Sequence, residues 1–387
     1  MRILIIAPQF PPIIGGISAY SFEVARNLVR CREEVIVLTA APMMDSASVK
    51  QHGFKLFSTG WLRPIFKMRF LIGQVVRIAA MSLYTLWICI LRRVDIIYCT
   101  YYEAGIAART ISKLLDIPYF LTIHGTEISN LNSIMGNMVR FALGGSSGYF
   151  VQARRQKEGL LGLGIPDSLI HVVSHGIDVK KFSSCSECQE IVNKHKLAGR
   201  RVILTVGNLV ERKGHDMVLK CLPKVLEEVP NTVYLIVGDG EQRQSLMKLV
   251  EELDLGEHVV FTGRVSDKEL LQYYNACDVF IMPSREIAGD IEGFGIVYLE
   301  ANACSKPVIG GKSGGISDAV RDGVSGILVD PLNVDEIAQT LITLLTNDQL
   351  ARKLGQQGRK RVEEEFSDLA MAEKLARIFR NFARQDE

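Results

Sequence analysis

The densest chemistry in the chain lies in Ile291-Glu-Gly-Phe-Gly-Ile-Val-Tyr-Leu-Glu-Ala301. Gly293 and Gly295 precede an apolar helix predicted to run through Ala303, with Glu292 ahead of it and Glu300 in its second turn. At about 1.5 Å per residue, roughly 7–9 Å separate the helix start from Glu300. Helix N-termini favour anions, so this end can hold a diphosphate with one carboxylate ahead of it and one beside it. An ionised carboxylate accepts both hydrogens of a vicinal diol, the group that sugars and riboses present. Glu292 is therefore predicted to face a hexose and Glu300 a ribose. A solvated helix glutamate is the ordinary reading of either residue alone, but it fits both together poorly, because Glu300 sits among Val297, Leu299 and Ala301.

Three further constellations belong beside this one. In Val206-Gly-Asn-Leu-Val-Glu-Arg-Lys-Gly-His-Asp216 a strand end is followed by cations, and Lys213, with Arg212, can neutralise charge on a leaving diphosphate. In Phe120-Leu-Thr-Ile-His-Gly-Thr-Glu127 a buried strand delivers His124 to its carboxyl end, the edge where open α/β sheets bind ligands. There it is suited to donating to a sugar hydroxyl more than to acting as a base. After the first strand, Pro8 to Ser18 carries the pair Gly15-Gly16 before a helix beginning near Ser18, where backbone without Cβ can approach an anion. The dinucleotide fingerprint GxGxxG is absent from that turn. A plain loop accounts for the cations or the glycine pair taken alone.

The elements that must position these residues are legible as short apolar runs alternating with helical periods. Ile3 to Ala7, Glu34 to Thr39, Ile96 to Thr100, Tyr119 to Ile123, Gly148 to Val151 and Ile170 to Val173 read as strands buried on both faces. After a polar junction at Asp178 to Arg201 the pattern resumes with Val202 to Gly207, Thr232 to Val237, Val259 to Thr262, Val279 to Met282, Pro307 to Gly310 and Gly326 to Val329. Two doubly wound βαβ domains follow, at residues 1–178 and 179–365. The tail breaks at Phe366-Ser-Asp368, where Ser367 or Asp368 can cap a new helix, so residues 366–387 are predicted to return to the first domain.

Forty-five Lys and Arg against 43 Asp and Glu exclude a nucleic-acid binder driven by phosphate neutralisation of the whole chain. The balance is uneven locally. Between Trp61 and Arg93 stand six basic residues (Arg63, Lys67, Arg69, Arg77, Arg92, Arg93) and no acidic one. Gln74 and Arg77 leave an uncharged run of only 14 residues, Ile78 to Leu91, short of the roughly 20 that span a bilayer. That run is predicted to be a buried helix, and Trp61 to Phe70 to rest on an anionic membrane surface. The eight cysteines lie mostly in apolar runs and read as reduced thiols. Cys185 and Cys188 form a lone CxxC, more ordinary as a loop feature than as a metal site. The N-terminus lacks signal-peptide character, so a cytoplasmic location, peripheral on the inner face of the cell membrane, is expected.

In order and spacing these motifs resemble glycosyltransferase family 4, retaining enzymes of the two-Rossmann-domain GT-B fold that use nucleotide-diphosphate sugars. The resemblance runs over nearly the whole chain, through Gly15-Gly16, His124-Gly125, Ser174-His-Gly-Ile-Asp178, Lys213-Gly214, Val237-Gly-Asp-Gly240, Phe261-Thr-Gly-Arg-Val265, Asp278 to Ser284 and the glutamates 292 and 300. It implies that Gly16 touches the diphosphate, His124 the transferred sugar, Lys213 the phosphates and Glu292 the sugar hydroxyls. It further implies that backbone amides from Phe294, Gly295, Ile296 and Val297 hold sugar and phosphate, that Glu300 binds ribose and that the Arg264-Val265 backbone lies at the base; Gly238 belongs to the same nucleotide-sugar set. Many members have an arginine where this chain has Asn208, so half of the phosphate clamp departs from the pattern, and Arg212 is the candidate substitute. The loop Ser284 to Glu292 exceeds the family's shortest form and resembles members acting on phosphoinositide-type or lipopolysaccharide acceptors.

With no DxD motif at a plausible diphosphate site, neutralisation is assigned to the helix N-terminus and Lys213, with no metal, and the UDP- or GDP-sugar is a substrate, not a cofactor. The expected reaction moves a hexose to a lipid-linked or envelope-glycan acceptor by front-face displacement. The competing readings are a nucleotide-sugar epimerase or phosphorylase of the same fold, and a catalytically inactive nucleotide-sugar-binding partner protein.

Overall fold

A computed structural model describes residues 1–13, 15–44, 49, 51–60, 70–124, 134–183 and 188–383. The segment 61–69, expected to meet the membrane, and Cys185 lie outside the described residues. The chain forms two units, residues 1–176 with 368–387, and residues 177–367. The expected boundaries at 178/179 and 365/366 shift by two residues each. Gly176 lies so close to Asp368 that a Cβ would approach its Oδ1 to 2.5 Å, whereas Ile177 donates its amide to Phe366 O at 2.7 Å.

The first unit carries a parallel sheet of β1 (Arg2–Ala7), β2 (Glu34–Thr39), β3 (Lys55–Ser58), β4 (Ile96–Cys99), β5 (Tyr119–Ile123), β6 (Gly148–Val151) and β7 (Ile170–Val172) in the order β3-β2-β1-β4-β5-β6-β7. The edge strand β3 is short and half-buried and escapes the apolar-run criterion that finds the others. In the second unit β8 (Arg201–Val206), β9 (Thr232–Val237), β10 (Val259–Gly263), β11 (Val279–Met282), β12 (Val308–Gly311) and β13 (Ile327–Val329) run in the order β10-β9-β8-β11-β12-β13, also parallel. In each sheet the strand order reverses beside the first strand of the unit. That switch lies between β1 and β4 in one sheet and between β8 and β11 in the other, and the crevice it opens at the carboxyl ends is where doubly wound sheets bind ligands.

The helices that matter for the site are α1 (Gly16–Arg30), α2 (Phe70–Arg92), α3 (Tyr102–Leu115), α4 (His215–Glu228), α5 (Asp267–Ala276), α6 (Ile296–Ala303), α7 (Asp348–Glu365) and α8 (Asp368–Ala383). As the period suggests, the tail breaks between α7 and α8. The second of these buries Met371, Leu375 and Phe379 in the first unit's core. Phe379 meets Tyr98, Phe120 and Phe150 with ring centroids 5.0–5.6 Å apart. Arg380 adds an ion pair to the buried Glu33.

Contrary to expectation, the run Ile78 to Leu91 is not a buried helix: it is part of α2, and only one face of α2 is covered. Gln74, Met81, Thr85 and Ile88 point inward, at helical spacing, and α3 packs against the same helix. Val75, Leu83, Trp87, Ile90 and Leu91 form the opposite, exposed stripe. Arg77 reaches across to Glu103 of α3 (Nη2 to Oε1 2.6 Å). By length and composition Gly73–Arg92 meets the criterion for a bilayer-crossing segment, with mean hydropathy 1.6. Yet Met81, Ile88 and Cys89 belong to the unit's core, which a helix lying across a bilayer would have to abandon.

Candidate active site

In the second unit the loops after β8 and β11 meet at the sheet's switch point. After β8 the chain makes a 3₁₀ turn, Glu211–Lys213, ended by Gly214 in the left-handed region (φ 76°). Glycine is required there, because a Cβ would come within 2.3 Å of Pro283 O in the loop following β11. The turn presents two cations to one carboxylate. Arg212 Nη1 donates to Glu292 Oε2 at 2.7 Å, and Lys213 Nζ makes a shorter contact to the same oxygen. Arg212 Nε also donates to Asp290 Oδ2 at 2.9 Å. Glu292 is buried, and its carbonyl accepts from Gly315 N at 2.9 Å. Burial holds the Lys213 ammonium below its ordinary range, with Glu292 opposing the shift. Asn208 is exposed, and its carbonyl receives His215 Nε2 at 3.3 Å.

Helix α6 begins at Ile296, a short step beyond Glu292, with Gly295 at its N-cap in the left-handed region (φ 81°). Its first-turn amides, at Ile296 and Val297, have no acceptor within the helix. The helix is fixed from below, where Tyr298 Oη donates to Met282 O, and Phe294 packs on Phe366 at 5.9 Å. Glu300 is half-buried and accepts from Tyr274 Oη of α5 at 2.6 Å, so the carboxylate is oriented; desolvation raises its pKa. Gly238 and the Arg264-Val265 pair follow β9 and β10. Gly238 N donates to Gly263 O at 2.9 Å, and a Cβ at Gly238 would lie 1.9 Å from Gly207 O. Arg264 is exposed and Val265 half-buried.

In the first unit Gly15 and Gly16 stand at the start of α1, two residues earlier than the predicted helix start. A Cβ on Gly16 would meet nothing within 4 Å, and one on Gly15 only Gln9 Oε1 at 3.9 Å. Among the described residues no protein atom demands glycine at either position, and the Gly15 carbonyl accepts from Ala19 N at 3.0 Å. His124, after β5, has both ring nitrogens engaged: Nε2 lies 2.8 Å from Thr100 O and Nδ1 2.8 Å from Gln152 Nε2. A carbonyl only accepts, so Nε2 carries the proton and Nδ1 receives one from the Gln152 amide. Gln156 Nε2 holds the His124 carbonyl at 3.0 Å. A sugar hydroxyl that bonds the ring must displace Thr100 or Gln152. Nearby, burial and then the neighbouring His124 push His175 down to about 3, so it is neutral.

Two family models divide the chain: "Glycosyltransferase Family 4" matches residues 14–181 and "Glycosyl transferases group 1" residues 188–361. The chain belongs to glycosyltransferase family 4. It is 29% identical over 395 residues, 98% of each chain, to the GDP-mannose-dependent alpha-(1-6)-phosphatidylinositol monomannoside mannosyltransferase of Mycobacterium tuberculosis. With the protein of that name from Mycolicibacterium smegmatis it shares 36% identity over 197 residues, which is 50% of this chain and 52% of the relative. Among solved structures, HepE of Anabaena in complex with UDP superposes with a TM-score of 0.77 at 20% identity, covering 98% of this chain and 100% of that one. Sucrose-phosphate synthase of Thermosynechococcus elongatus gives 0.74 at 21% identity, covering 98% of both. These likenesses assign the GT-B fold.

As a family 4 glycosyltransferase the chain has its two cations, its buried glutamate and its helix N-terminus gathered in one unit. Gly15, Gly16 and His124 belong to the other. Reading by residue type misses Gln152, Gln156, Tyr274, Asp290 and Arg285. Gln152 is within reach of such reading, because it directly follows the buried strand β6, the same kind of position that singles out His124.

Proposed function

We propose that the chain transfers a hexose, with retention of anomeric configuration and without a divalent metal, from a GDP-sugar to a lipid-linked acceptor of the phosphatidylinositol mannoside class at an anionic membrane surface on the cytoplasmic side. The observation that carries this reading is the convergence of Arg212 and Lys213 on Glu292 ahead of the α6 N-terminus. The two cations and the α6 amides supply stabilisation for a departing diphosphate. Arg212 faces the cluster, which makes it the substitute for the arginine absent at Asn208. Glu292 accepts the hydroxyls of the sugar and Glu300 those of the ribose. In the reaction the bond from C1 to the diphosphate oxygen breaks while the acceptor oxygen bonds C1 on the same face. The acceptor's proton passes to the departing phosphate oxygen, so charge and atoms balance without a protein nucleophile.

The choice of donor and acceptor leans on the mannosyltransferase relatives. A membrane-surface acceptor is supported by the exposed apolar stripe of α2, which ends at the exposed Arg92 and Arg93. Anionic lipid attracts such cations by about 1 kcal/mol each. The test supplies radiolabelled GDP-mannose and a phosphatidylinositol mannoside in anionic vesicles containing EDTA. Labelled lipid is expected. Release of free mannose alone, or a strict need for added metal, would contradict the proposal.

A further inference from the structure

We propose that Arg285 is a positioning residue for the donor-diphosphate clamp, acting through the turn that carries Arg212 and Lys213. Arg285 is 7% exposed and ties the start of that turn to the helix that follows it. Its Nη1 donates to Asp216 Oδ1 at 2.8 Å, in the first turn of α4, and its Nη2 lies 3.5 Å from Glu211 Oε1, at the turn's start. Its backbone amide donates to Arg212 O at 2.8 Å, so the main chain of the phosphate-facing arginine hangs from it directly. The far side of the turn borders a cavity of about 280 Å³ lined by Glu211, His215, Asp216 and Arg285 among others, so close packing does not fix the turn from that side. A buried ion pair is a weak source of net stability, because desolvation offsets its attraction. An apolar residue would serve packing as well. What the guanidinium adds is a fixed geometry with several donors in one plane.

The loop that follows Arg285 completes the hold on Arg212. Ile287 and Asp290 pair across a two-residue turn, Ala288-Gly289, with both φ values positive (49° and 84°). The turn returns Asp290 to Arg212 Nε and leaves Nη1 directed at Glu292. The segment between Ser284 and Glu292 is thus a brace, with Arg285 at its base.

This role rests on the reading of Arg212 as a phosphate ligand, and the test separates the two. Calorimetry measures GDP and GMP binding to the wild type, Arg212→Ala, Arg285→Gln, Arg285→Lys and Asp216→Asn. Arg285→Gln is expected to weaken GDP about tenfold and GMP less than twofold, with partial recovery in Arg285→Lys and little further loss when combined with Arg212→Ala. If Arg212→Ala lowers the preference for GDP while Arg285→Gln keeps it within about twofold of the wild type, the inference is overturned. If Arg212→Ala itself keeps the preference, the phosphate reading of Arg212 fails instead. Should Arg285→Gln not fold, Asp216→Asn decides: a loss of about threefold for GDP alone supports the role, and unchanged binding contradicts it.

Discussion

Arg212 and Lys213 converge on Glu292, and removing the carboxylate should act differently from removing a cation. Glu292→Gln takes a negative charge from beside Arg212 and Lys213, so nucleoside diphosphate should bind at least as tightly as to the wild type. Turnover should fall by about 10²-fold or more, because an ionised acceptor oxygen is replaced by an amide donor. Lys213→Ala should lower both. Isothermal titration set beside steady-state kinetics checks the split, and equal losses in both variants would refute it. His215 gives a second test at this scale. It is buried against a carbonyl and the Tyr234 hydroxyl, and desolvation pushes its pKa down from 6.5 to about 4. Unfolded chain takes up this proton near pH 6.5 and folded chain only near pH 4, so the second unit should lose stability on acidification across that window and then level off. The contribution is about 3 kcal/mol at most. Urea unfolding compared at about pH 7 and about pH 4.5 should show the loss, and His215→Gln should flatten it.

Among the elements, α2 carries the sharpest prediction. Leu83 and Trp87 are exposed, so Leu83→Glu should leave thermal stability nearly unchanged while weakening sedimentation with anionic vesicles. Unaltered vesicle binding in that variant would leave α2 no part in docking. This helix also marks where sequence reading stops. An uncharged run of 14 residues signals an apolar helix, but the run cannot say that only one face has a neighbour, nor that Arg77 is neutralised by Glu103 from α3. The strands β1, β2, β4, β5 and β6 are legible because burial on both faces leaves continuous apolar runs. β3 is not, because an edge strand with Lys55 and Ser58 carries no such run. Among the candidate site residues, Lys213 and Glu292 stand out in sequence because each adjoins a glycine, and Glu300 because a carboxylate falls on an otherwise apolar helix. The direction of Arg212 depends on Asp290 and the Arg285 brace, which are distant in sequence, and the His124 tautomer depends on Thr100 and Gln152, which follow two other strands.

On the scale of the whole molecule, the last helix is a structural part of the first unit, although it follows the second in sequence. Phe379→Ala should cost about 3–5 kcal/mol, since it opens a hole among Tyr98, Phe120 and Phe150. The first unit should therefore unfold at lower urea in that variant than in the wild type, as hydrogen exchange resolved by segment would report. The two doubly wound sheets carry Arg212, Lys213 and Glu292 on one unit and Gly15, Gly16 and His124 on the other. The reaction itself is tested most directly by the anomeric configuration of the product formed from an α-configured GDP-sugar, read by NMR from the C1 coupling. An α-linked product is predicted. A β-linked product would contradict front-face transfer.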